Sequence, residues 1–185
     1  MTLATQYQDE WTYYESPKIK LAILGNGQVG KTSLCECLRE GRIPGTYDLT
    51  IGVDITTKDL KIAGNNVRLI LWDMAGQDQF DCVRPAFYEG AKAAMIVFSL
   101  QDRGSFYDIK TWIRELQRHT PGVPFVIIGN KNDVKKREVT KEEIEALAAQ
   151  FRVPYVETSA KKSLNVEEAF RVTTILALQD TAVSW

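Results

Sequence analysis

Apolar residues in this chain fall into short runs separated by longer amphipathic stretches. The runs cover residues 18–24, 69–72, 93–100, 124–128 and 153–156, lengths suited to buried strands. Between them, apolar positions recur at helical spacing over 32–40, 105–119, 141–150 and 165–178. Gly41 stops the first of these helices, and Thr140 with Glu143 three residues on opens the third. Strands alternating with helices predict a parallel sheet covered on both faces. Residues 53–62 and 67–72 break that rhythm, because only Ala63-Gly64-Asn65-Asn66 lies between them, a turn signal for an antiparallel hairpin at one edge. The expected fold is α/β, a three-layer sandwich around a six-stranded, mostly parallel sheet with that one antiparallel edge hairpin.

Composition changes this picture little. The 185 residues contain no Pro-, Gly- or Ser-rich linker, so one domain is expected over 17–180, with an N-terminal extension (1–16) and a short tail (181–185). Lys plus Arg number 23 against 24 Asp plus Glu, without a basic block, which argues against nucleic acid as a partner. Cys35, Cys37 and Cys82 fit no zinc or redox spacing, and the first two diverge on a helix, so they read as reduced packing thiols of a cytoplasmic protein. The extension carries Trp11, Tyr13 and Tyr14 among Asp9, Glu10 and Glu15 and lacks the form of a signal peptide. No apolar run approaches the roughly 20 residues that span a bilayer. Thr2 stands where myristoylation needs glycine, and 181–185 offer no cysteine for prenylation, so this chain shows no lipidation motif and leaves membrane association open, with peripheral attachment through partners as one route.

The chemistry starts at Gly25-Asn26-Gly27-Gln28-Val29-Gly30-Lys31-Thr32, which follows the first strand and opens the first helix. That context and spacing are those of a phosphate-binding loop, hence of a P-loop NTPase. Glycines let the backbone approach a ligand closely, and successive N–H groups of Gly25 to Ser33 can then point at phosphate oxygens, aided by the helix dipole. Lys31 is expected on the β- and γ-phosphates, and the Thr32 hydroxyl on Mg2+.

Three further loops follow strands. Asp73-Met74-Ala75-Gly76-Gln77 puts a carboxylate beside the loop, so Asp73 is expected to act on magnesium through a water, while Gly76 offers an N–H to the γ-phosphate. Gln77, both donor and acceptor, can orient an attacking water. Asn130-Lys131-Asn132-Asp133 is an ordinary polar turn when read alone. At a strand end beside a phosphate loop, its Asp133 can accept from the N1–H and amine of guanine, a pairing that adenine does not offer. Lys131 can lay its stem over the base, and Asn130 can tie the two loops together. Thr158-Ser159-Ala160-Lys161 is expected to bring the Ala160 N–H to the guanine O6.

In this order, the five elements closely resemble the Ras superfamily of small GTPases, and the match runs over about 18–178. The resemblance implies GTP and GDP as ligands, Mg2+ as cofactor, slow intrinsic hydrolysis, and a monomer that cycles between two states in intracellular trafficking or signalling. Tyr47-Asp48-Leu49-Thr50-Ile51-Gly52-Val53-Asp54 is similar to the first switch of Rab proteins, with Tyr47 at the nucleotide and Thr50 on Mg2+ and the γ-phosphate only in the GTP state. A second switch would run over 75–88, where Phe87-Tyr88-Glu89-Gly90-Ala91 is again Rab-like, and Val83-Arg84-Pro85 is similar to Rho proteins. Effectors would read 51–55, Trp72 and the segment 75–88 in the GTP state; Ile55 replaces the phenylalanine of the Rab effector surface, whereas Trp72 and Tyr88 are kept. An exchange factor and a GTPase-activating protein are implied too. Arg42 lies too early and Arg84 too late to act as a finger in cis, so the activating protein would supply one. Ile43 stands where relatives place an aromatic ring against the nucleoside, which keeps open a pseudo-GTPase scaffold that holds nucleotide without cycling. A P-loop ATPase or small-molecule kinase is the other alternative, opposed by Asp133 and by Ser159, Ala160 and Lys161.

Overall fold

The computed structural model describes residues 16–41, 52–74 and 84–181. Ile43, Tyr47, Thr50, Gly76, Gln77, Cys82 and the aromatic extension lie outside them, as do the side chains of Arg84 and Pro85.

Six strands form one sheet in the order β2-β3-β1-β4-β5-β6. They are β1 (Lys18–Leu24), β2 (Val53–Ile62), β3 (Asn65–Met74), β4 (Ala93–Ser99), β5 (Phe125–Asn130) and β6 (Tyr155–Glu157). Among these described strands only β2 and β3 pair antiparallel. The helices are α1 (Lys31–Glu40), α2 (Arg84–Tyr88), α3 (Arg103–Tyr107), α4 (Ile109–His119), α5 (Lys141–Phe151) and α6 (Val166–Thr181).

Strand alternation divides the core into two layers. Ile19, Leu21 and Ile23 of β1, with Met95 and Val97 of β4, pack against Leu34 and Leu38 of α1 and Phe170 of α6. Ala22 and Leu24, with Ile96 and Phe98, face Phe87, Ile109, Trp112 and Ile144 on the other side. The three-layer expectation therefore holds.

Four local readings change. The hairpin turns on two residues, Ala63 and Gly64, both at positive φ (49° and 86°), so Asn65 and Asn66 belong to the ladder. A two-residue turn of this hand matches the strand twist. β3 extends to Met74, which puts Asp73 inside the strand, in register with Ile23 and Asp54. The predicted helix over 105–119 begins at Arg103, where Asp102 caps the Ser105 N–H, and is divided at Asp108. Tyr88, expected on an effector surface, is fully buried: its ring stacks on His119 at 5.0 Å and its hydroxyl bonds Glu115. Helix α2 has no signal in the sequence, because five residues are too few to show a helical period.

Candidate functional site

The parallel strands end together at Leu24, Met74, Ser99, Asn130 and Glu157. The strand order reverses at β1, with β3 on one side and β4 on the other, and α/β sheets bind ligands in the crevice at such a point. The loop of residues 25–30 occupies it. Gly25 (φ 137°) runs so close to the Val97 carbonyl that a Cβ would overlap it, and a Cβ at Gly30 (φ 97°) would strike the Asn130 amide. Gly30 is also the N-cap of α1 and offers no capping side chain, leaving the first helical amides open to an anion.

Lys31 is buried, and its ammonium donates to the carbonyls of Gly25 and Asn26, both at 2.8 Å. Burial lowers its pKa to about 8, an effect that the nearby Asp73 opposes. The Thr32 hydroxyl donates to Asp73 Oδ2. Asp73 Oδ1 is buried with no hydrogen-bond partner among the described residues, and burial raises the carboxyl to about 6 in spite of Thr32 and Lys31. Asp54, across the ladder, pushes it the same way as burial. A loop of amides thus adjoins a lysine ammonium, a hydroxyl and a half-satisfied carboxylate: an anion site with hard oxygen donors beside it. Ser33, buried in the first turn of α1, completes the amide run.

The second cluster joins β5 to the loop after β6. Asn130 is buried; its Nδ2 donates to Val29 O at 2.9 Å, which ties the phosphate loop to this strand end. Its Oδ1 accepts from the Thr158 hydroxyl at 3.1 Å and from the Ala160 N–H at 3.3 Å. Asp133 Oδ1 accepts from the Ser159 hydroxyl at 2.6 Å, so one carboxylate oxygen is held by this bond. Lys131 sits at φ 68°, half-buried, with its pKa lowered by burial. Lys161 is exposed. A cavity of about 370 Å3 is lined by Gln28 of the phosphate loop and by Lys131, together with Ser99, Gln101, Asp102 and Glu138 among others.

Gly25, Asn26, Gly27, Gln28, Val29, Gly30, Lys31, Thr32 and Asp73 are therefore gathered at one place, with Asn130 linking them to Lys131, Asp133, Ser159 and Ala160. Sequence reasoning missed Thr158, which holds the Asn130 amide, and the side chain of Asn26, which bonds Asp108 and Trp112. Nothing local in the sequence signals contacts between residues so far apart.

Trp72 of β3 lies half-buried, its ring edge-on to Phe87 at 5.9 Å and capped by the Lys20 ammonium at 3.4 Å. Ile55, opposite it in register, is 50% exposed.

The Ras family profile matches residues 20–179. Ras-related protein Rab-8B of Homo sapiens is 40% identical over 153 residues, covering 82% of this chain and 74% of that protein. Ras-related protein Rab-8A of Gallus gallus is 38% identical with the same coverage. Ras-related protein Rab-13 of Rattus norvegicus is 39% identical, covering 82% of this chain and 75% of its own. With the phosphate loop at the sheet's reversal point and these relatives across most of its length, the chain belongs to the Ras family, is Rab-like within it, and is a small GTP-binding switch that hydrolyses GTP.

Proposed function

We propose that the nucleotide lies across the two clusters, with its phosphates on the amides of residues 25–33 and on Lys31, and its guanine against Asp133, Lys131 and the Ala160 N–H. The observation that carries this reading is the buried Asp73 oxygen that has no partner among the described residues, beside the Thr32 hydroxyl and the Lys31 ammonium. A carboxylate in that position lacks half of its hydrogen bonds, and a hard cation next to the phosphates supplies the missing charge. Thr32 and Thr50 are the proposed ligands of Mg2+, with Asp73 acting through a water. When bound, the ion offsets charge on the phosphate oxygens during hydrolysis. Asn130 holds the base loop and the phosphate loop in one frame, and Ser159 fixes the Asp133 carboxylate for the N1–H and amine of guanine. Gln77 orients the attacking water, and Gly76 and Tyr47 complete the nucleotide contacts.

The output is partner choice. Effectors read 51–55, Trp72 and the segment after β3, but not Tyr88, whose ring belongs to the core. An exchange factor and an activating protein act on the same segments of a monomer. The protein works in trafficking or signalling in the cytoplasm, reaching membranes through partners; no helix among the described residues is long and apolar enough to cross one.

Single-turnover hydrolysis of GTP with Mg2+ tests the assignment. Wild-type protein turns over slowly and Gln77→Leu more slowly still, while both retain guanine nucleotide. Equal displacement of bound GDP by ATP and GTP would contradict the role of Asp133.

A further inference from the structure

We propose that Asn26 is a positioning residue that couples α4 to the phosphate loop, its side chain held between Asp108 and Trp112 while its carbonyl holds Lys31. The proposal rests on the reading of this loop as the phosphate site. Trp112 Nε1 donates to Asn26 Oδ1 at 2.7 Å, and Asn26 Nδ2 donates to Asp108 Oδ2 at 2.6 Å. An indole N–H can only donate and a carboxylate can only accept, so the amide is held in one orientation. The position needs a donor and an acceptor on one short, planar group, which asparagine supplies.

The same residue's main-chain oxygen accepts from the Lys31 ammonium at 2.8 Å. Side chain and carbonyl are thus fixed by separate partners, one by Asp108 and Trp112 at the start of α4, the other by the lysine that serves the phosphates. Trp112 is buried in the same core cluster as Ile109 and Ile113, which anchors the α4 side of the clamp. Lys110, Thr111 and Arg114 on α4 remain exposed. A partner that shifts α4 therefore changes the Lys31 cradle, and by linkage a bound nucleotide changes the affinity for that partner.

Release of a fluorescent GDP analogue from Mg2+-loaded protein tests the clamp. Retention of the analogue by wild-type protein is measured first and concerns the phosphate-site reading alone; the clamp is judged from ratios of release rates between variants. Asn26→Asp sets two carboxylates against each other and is expected to speed release about tenfold. Adding Asp108→Asn reverses the donor and acceptor across the same gap. The amide introduced on the α4 side can then donate to the carboxylate introduced in the loop, while Trp112 still donates to the other oxygen of that carboxylate. The double variant is expected to return to within about twofold of wild type, a rescue that loss of packing alone does not produce. Trp112→Phe keeps the ring buried and deletes only the N–H, with release expected to rise about fivefold. Wild-type release by Asn26→Asp, or failure of the double variant to slow it, overturns the proposal. Should Asn26→Asp not fold, Trp112→Phe decides alone, and an unchanged rate overturns the clamp.

Discussion

Asn130 uses its whole amide: Oδ1 accepts twice, from Thr158 and Ala160, and Nδ2 donates to Val29 O. Because these groups are buried, Asn130→Ala leaves a carbonyl of the phosphate loop and a hydroxyl and an N–H of the loop after β6 unpaired. The expected loss is about 3 kcal/mol in urea unfolding. Asn130→Asp is expected to recover little, since a carboxylate cannot donate to the Val29 carbonyl. At Gly30, a methyl group meets the same amide in a backbone conformation that alanine resists, so Gly30→Ala is expected to cost about 2 kcal/mol and to weaken GDP binding, read by calorimetry. Lys31, Thr32 and Asp73 were legible in the sequence because the spacing of a phosphate loop fixes where an ammonium and a hydroxyl must sit. The Asn26 clamp was not, since Asp108 and Trp112 reach it only through the packing of α4 on the sheet.

Among the helices, α5 is the one whose start was read to the residue. Thr140 accepts from the Glu143 N–H, and the Glu143 carboxylate returns to the Thr140 N–H, closing the capping box that their spacing predicts. Arg103 of α3 also grips Glu143, through Nη1 at 2.6 Å and Nη2 at 3.1 Å, and together the Arg103 and Thr140 bonds hold its pKa at about 2 against the ordinary 4.5. A carboxyl whose folded pKa is depressed stabilises the fold above its unfolded value and loses that contribution as pH falls toward the folded one. Between pH 4.5 and about 2, wild-type stability should therefore drop more steeply than that of Glu143→Gln, as acid unfolding followed by circular dichroism would reveal. Matching slopes would mean that the Arg103 contact is not formed in solution. The strands were legible because buried parallel strands read as continuous apolar runs. The hairpin register was not, because Ala63-Gly64-Asn65-Asn66 contains several residues that can adopt positive φ, and only the ladder decides which two turn.

At the scale of the whole molecule, the fold buries a carboxylate whose charge a bound cation can offset. Asp73 holds a buried oxygen without a partner among the described residues, with Asp54 across the ladder, and burial raises its pKa to about 6 from 3.8. A raised carboxyl has the opposite sign to Glu143: between pH 3.8 and about 6 the folded state holds more protons than the unfolded one, so ligand-free stability falls as pH rises through that window. Asp73→Asn removes the charge at nearly constant shape, and the ligand-free variant should be at least as stable as wild type at pH 7. A ligand that binds only the folded state adds stability of about 4 kcal/mol at a thousand times its Kd. Wild-type protein with GDP and Mg2+ should melt well above the ligand-free protein, and a chelator should remove much of that gain. In Asp73→Asn the Mg2+-dependent part of the gain should shrink, although the variant began no less stable. Thermal unfolding of both proteins with GDP, with and without Mg2+, separates the two effects. A variant that is destabilised without ligand yet gains as much from Mg2+ would make Asp73 a structural residue of β3, and the Thr32 hydroxyl would then have to serve the cation without it.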